Sequence, residues 1–119
     1  MFKLIALPLL FSSALLVAGG PAKDPLQGVA KFSGDAGKYW TDACARCHGA
    51  NGNGRDLKGA QLPDAGFDFS DSRKAGKKKD SDWVRITLEG HDKMPAFKKL
   101  MTEDDAKLFL PIMRKFSAK

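Results

Sequence analysis

Hydrophobic positions along this chain fall into four stretches separated by polar and glycine-rich segments. The first runs from Leu4 to Ala18 with no charged residue, interrupted only by Pro8, Ser12 and Ser13. In the second, Ala36, Tyr39, Trp40 and Ala43 recur at helical spacing behind Ser33-Gly34-Asp35, which reads as a helix start. In the third, Trp83, Ile86 and Thr87 lie at i, i+3 and i+4. This predicts a helix beginning near Ser81-Asp82, with Ser81 as cap and Gly90 as stop. The fourth predicts a helix over about 103–116, opened by Thr102-Glu103-Asp104-Asp105. It places Leu108, Ile112 and Phe116 on one face, with Phe109 and Met113 beside it. Pro111 falls inside that helix, removes one backbone bond and is expected to kink it. No strand run is visible before residue 44.

The first stretch is an address rather than a core element. Lys3 precedes the apolar run, and the small residues Ala18, Gly19 and Gly20 follow it. That is the order of a secretory signal. Its fifteen residues are short of the about 20 that a spanning helix needs. The expectation is a cleaved signal over 1–20, an N-terminal extension over 21–33 and one domain over 34–119. Cleavage after Gly20 or Ala22 remains open. The product would be periplasmic, soluble and without stable membrane insertion; an uncleaved membrane anchor is the alternative.

Export gives the two cysteines their meaning. They stand in Cys44-Ala45-Arg46-Cys47-His48, the attachment signature of c-type haem. On a helical turn, residues three and four apart share a face, so Cys44, Cys47 and His48 point the same way. Two thioether bonds would hold the ring edge, and His48 would be the proximal ligand to iron. Competing readings fit less well. A thioredoxin-like pair expects a βαβ setting, a tetrahedral zinc site needs four ligands, and a local disulfide closes only a tiny loop. Gly49, Gly52, Gly54 and Gly59 follow the motif and suit a loop lying close to a flat ligand, or simple turns.

Candidates for the sixth iron position are Met94, Met101, Met113, His91 and the lysines nearby. Met94 precedes Pro95, which stiffens the backbone toward an extended form, and Met94-Pro95-Ala96-Phe97 follows the Gly90 helix stop. Met94 is the expected distal ligand and His91 its rival. Met113, on the last helix, reads as core.

Together these residues carry a resemblance. The chain resembles small bacterial class I monohaem cytochromes c through Gly37, Trp40, Cys44–Gly49, Gly52, Gly54, Leu62-Pro63, Asp68-Phe69, Ile86–Gly90 and Met94–Phe97. The match covers about residues 34–116. The resemblance implies an all-α cytochrome c fold, about three to five helices wrapped around one covalently attached haem c. It implies that Gly37 and Trp40 meet Leu108, Phe109 and Ile112, and that Leu62-Pro63 lies near His48. It also implies an electron-transfer protein rather than an enzyme.

Charge then bears on partners. The formal net charge is +6; residues 73–119 carry 13 basic and 7 acidic side chains, whereas residues 21–72 carry 6 and 7. No basic-aromatic nucleic-acid face is visible, and export argues against that partner. Lysines at 77–79, 93, 98 and 99 suit steering toward an acidic docking surface on a redox protein or membrane respiratory complex. For Lys77–Lys79 a solvated loop is an equal reading. The functional expectation is a periplasmic single-electron carrier with His48/Met94 ligation. Alternatives are a haem c sensor or ligand-binding module, a haem c subunit of a respiratory oxidase or dehydrogenase, and a thiol-disulfide oxidoreductase.

Overall fold

Asp35 starts the first helix: its carboxylate accepts from the Lys38 N–H at 3.0 Å and caps α1 (Ala36–Tyr39). The coordinates are a computed structural model and describe residues 25–118; the expected signal over 1–20 lies outside the described residues. After α1 the chain widens into a π-helical turn (Trp40–Cys44), in which the Ala45 N–H bonds the Trp40 carbonyl five residues back. It tightens again into α2 (Ala45–His48). The cysteines and His48 therefore lie at the end of one continuous helical stretch. Four more helices follow: α3 (Ser72–Gly76), α4 (Asp80–Glu89), α5 (Glu103–Lys107) and α6 (Leu110–Ser117). No strand forms among the described residues, which contain only isolated bridges at Arg55–Gln61 and His91–Met94.

Two boundaries differ from the sequence expectation, each for a local reason. α4 is capped at Lys79, not Ser81, because the Asp82 carboxylate reaches back to the Lys79 N–H at 3.2 Å. The expected single helix over 103–116 is two. The Leu108 and Phe109 amides bond the Asp105 and Ala106 carbonyls, only three residues back, and the helix restarts at Leu110. Pro111 thus falls in the first turn of α6, where an N–H has no intrahelical partner anyway. It starts a helix rather than kinking one. The start of α5 is as expected: Thr102 Oγ accepts from the Asp105 N–H at 3.2 Å, and the Asp105 carboxylate accepts from the Thr102 N–H at 2.9 Å.

The break rotates the buried face. Phe109 and Met113 enter the core at 3% and 4% exposure, whereas Leu108 is 50% exposed. Accordingly it is Tyr39 and Trp40 that cross the C-terminal segment, with ring centroids 5.9 Å from Phe109 and 5.1 Å from Phe116. Gly37 takes no part: it is exposed, and a side chain there would meet only Asp35. Phe32, before α1, packs on Tyr39 and Phe109 at 5.5 and 5.4 Å.

One side chain holds α6 against the lysine-rich segment. Arg114 donates to Asp80 Oδ1 at 2.7 Å and to the carbonyls of Ala75 and Lys78 at 2.8 and 2.7 Å. Its guanidinium lies 3.8 Å from the centroid of the Trp83 ring. It adds a donor to carbonyls at the end of α3 and in the α3–α4 turn; that of Ala75 also accepts from the Lys78 N–H at 3.2 Å. Arg114→Leu is expected to destabilise the protein by about 2–4 kcal/mol in denaturant titration. Arg114→Lys, which keeps the charge but not the planar fork, should recover about half of that loss.

Candidate functional site

The α2 terminus, the segment 61–69, α4 and the segment 91–101 enclose a cavity of about 1050 Å³. Cys44, Cys47, His48 and Met94 all line it, as do Trp83, Ile86 and Thr87 of the predicted stripe. The chain thus brings together the four residues singled out from sequence. Met101, Met113 and His91 reach the same cavity. The two cysteines are half-buried and not bonded to each other.

His48 is 9% exposed, and its ring packs on both Trp40 and Phe69 at centroid distances of 5.8 and 5.1 Å in a three-ring cluster. Its Nδ1 lies 3.2 Å from the Phe67 carbonyl oxygen. A carbonyl only accepts, so Nδ1 carries the proton and Nε2 keeps a lone pair. Burial disfavours the imidazolium and lowers its pKa, and the bond to Phe67 only partly opposes this. A neutral imidazole with a free Nε2 facing a cavity is the form that ligates a metal. Trp40 supports the ring from behind, its indole N–H donating to the Gly49 carbonyl at 3.1 Å.

The support beneath His48 is a finding that sequence reasoning missed. Leu62 lines the cavity, but the hydrogen bond to His48 comes from Phe67, and Gly66 lies flat against the imidazole. A methyl group at position 66 would overlap the His48 ring. The Gly66-Phe67 pair carried the only signal: a glycine beside an aromatic residue, downstream of the motif. Conversely, Gly49, Gly52, Gly54 and Gly59 do not line the cavity. Gly52 packs against the Phe116 ring and Gly49 against the Arg55 backbone, so these positions accommodate the polypeptide itself.

On the opposite wall, α4 ends at Gly90 and its last carbonyls are used to hold the next segment. Thr87 and Leu88 carbonyls accept from the Phe97 and Lys98 N–H groups at 3.0 and 3.1 Å. Between these anchors, His91 and Met94 exchange backbone bonds of 3.1 and 2.9 Å across a two-residue turn. Gly90, at φ 78°, lets the turn fold back, since a Cβ there would lie 2.7 Å from the Met94 carbonyl oxygen. His91 is exposed, with Nε2 3.3 Å from Asp92 Oδ2. Met101 and Met113 are buried at 5% and 4% in the hydrophobic core. Met94 is the half-buried methionine carried on the turn.

Comparison with known proteins agrees with this geometry. Residues 35–109 match the family model described as cytochrome c oxidase, cbb3-type, subunit III. The chain belongs to this family. A solved structure, "KustC0563 c-type cytochrome", shares 30% identity and a TM-score of 0.56 over 69% of this chain and 96% of that one. No curated protein matches the chain. The protein is therefore a small c-type cytochrome with the cytochrome c fold, a haem-binding electron-transfer protein, and membership implies haem c as its prosthetic group.

The cavity suits that group on its own terms. Its volume is at the upper end for ligand sites, its walls are largely aromatic and aliphatic, and an Nε2 lone pair faces into it from the cysteine side. Gly90→Ala should displace the Met94 turn and cost this cytochrome about 1–3 kcal/mol, read as a lowered midpoint in thermal unfolding.

Proposed function

We propose that this cytochrome is an exported, periplasmic single-electron carrier with one haem c. In this reading Cys44 and Cys47 hold the haem covalently, His48 is its proximal ligand and Met94 its distal ligand. The single observation that carries the assignment is the convergence of those four side chains on one cavity. When bound, the haem supplies a reversible ferrous–ferric couple.

The chain's own residues set the terms of that couple. The Phe67 carbonyl fixes the His48 tautomer and makes the imidazole a better donor. The thioether of Met94 is a soft ligand and favours the reduced iron. Trp40, Phe69, Trp83 and Phe97, each 5% exposed, keep water from the cavity walls. Export is supported by the apolar run over 4–18 behind Lys3, and no described helix is long and apolar enough to cross a membrane.

The thiol-disulfide alternative is disfavoured by Cys44. Burial pushes its thiol up to about 12, with Arg46 opposing and Cys47 reinforcing the shift. A redox-active pair instead needs a readily formed thiolate. A haem sensor with a vacant sixth position is disfavoured by the Met94 turn. A haem c subunit of a respiratory oxidase is the second reading, and it rests on the description of the matching family. In either setting the partner would offer an acidic surface to the basic rim. Lys77, Lys79, Lys98 and Lys99 are exposed, and Lys78 reaches the cavity edge.

The reduced protein should keep a c-type absorption band in denaturant, and Cys44→Ser/Cys47→Ser should lose its haem there. Met94→Ala should lose the weak red band of the ferric protein, bind carbon monoxide and show a lower midpoint potential. Haem-free protein with two titratable thiols would reject the carrier assignment. An unchanged red band in Met94→Ala would reject Met94 alone.

A further inference from the structure

Asp64 and Lys93 meet across the mouth of the cavity, with Nζ 2.7 Å from Oδ1. The partners are 29 residues apart, both line the cavity, and their side chains are 60% and 79% exposed. They therefore lie on its solvent rim. Asp64 belongs to the segment whose Gly66 and Phe67 support His48. Lys93 occupies the two-residue turn that carries Met94. Among the described residues this is the one side-chain hydrogen bond joining segments 61–69 and 91–97.

Backbone geometry singles out the same pair. Asp64 and Asp92 are the non-glycine residues at positive φ among the described residues, at 52° and 49°. One is an end of the bridge and the other immediately precedes its other end. Such conformations cost energy in any residue but glycine, although aspartate tolerates them better than most. At Asp92 the conformation is what a two-residue hairpin turn demands, and it sets Lys93 at the turn tip. At Asp64 it turns the chain next to the rim. Both departures serve one juxtaposition.

We propose that Asp64 and Lys93 form a strap that closes the cavity mouth and holds the Met94 turn against the His48 side. They are positioning residues for the distal ligand, an inference that rests on Met94 filling that role. α4 already fixes one side of the turn through Phe97 and Lys98. The strap fixes the other, so that opening the turn, and with it dissociation of the sulfur, requires breaking the pair. An exposed ion pair is modest in strength, so the effect is a kinetic bias rather than an all-or-none lock. Lys93 is thereby withdrawn from the lysines available to a docking partner.

The test uses the ferric, haem-loaded protein and free imidazole as the competing ligand. Displacement of the red sulfur band is followed by stopped flow. Asp64→Asn and Lys93→Gln should each raise the limiting exchange rate about two- to five-fold. The double variant should add little to either single one, because they remove the same contact. About 1 M salt should speed the native protein but not the Asn or Gln variants. Thermal midpoints are measured alongside and should stay within the small change expected of a surface pair. Native exchange rates in both single variants, or fully additive effects, overturn the strap. An unchanged red band in Met94→Ala overturns the ligand reading itself, and the strap's positioning role with it.

Discussion

The site is organised around a buried imidazole whose two nitrogens are put to different uses. His48 sits at the end of a helical stretch, where Nδ1 donates to the Phe67 carbonyl and Nε2 is left with a lone pair toward the cavity. Burial against Trp40 and Phe69 favours the uncharged ring. Most of the local architecture follows from this arrangement. Segment 61–69 must approach closely enough to present a carbonyl, which leaves only a glycine at position 66. Trp40 must stay on the inner face of the first helical stretch, and its indole N–H then bonds Gly49, where that stretch ends. The far wall is built with equal economy. The unpaired carbonyls at the end of α4 anchor the Met94 segment instead of facing water.

How much of this could be read before the structure depends on the range over which each signal acts. The Cys44–His48 motif and the Met94-Pro95 step are local, because their geometry is set by neighbours within four residues, and both reach the cavity. Asp35 and Thr102 are caps for the same reason. Errors arise where a distant or competing contact decides. Ser81 has the right chemistry for a cap, yet Asp82 reaches back and moves the start to Lys79. Pro111 reads as a kink because periodicity alone cannot show that the chain tightens at Leu108 and Phe109. The rotation that follows exposes Leu108 and buries Phe109. Nothing local marks Arg114 as the group that ties α6 to the lysine-rich segment, since its four contacts come from residues 31 to 39 positions away.

The basic character of the C-terminal half also divides into parts with different roles. Arg114 is structural, Lys93 bridges the cavity rim, and Lys77, Lys79, Lys98 and Lys99 remain as exposed cations. A net charge treats these as equivalent; their contacts do not. The Arg73–Lys79 segment keeps its place through the buried Ala75 and through backbone carbonyls that accept from Arg114, and its lysine side chains stay exposed.

The π-helical turn over Trp40–Cys44 has a consequence for how this chain tolerates change in length. One extra residue per turn separates the aromatic pair Tyr39 and Trp40 from the block formed by Cys44, Cys47 and His48. Removing a residue between them would restore ordinary helical winding: four residues would close the turn that five close now, and the two blocks would face nearly as they do. The aromatic pair could then keep its seat on Phe109 and Phe116 with the cysteine face still toward the cavity. The π turn is therefore the place where the first helical stretch can absorb a one-residue change in length without turning its cysteines.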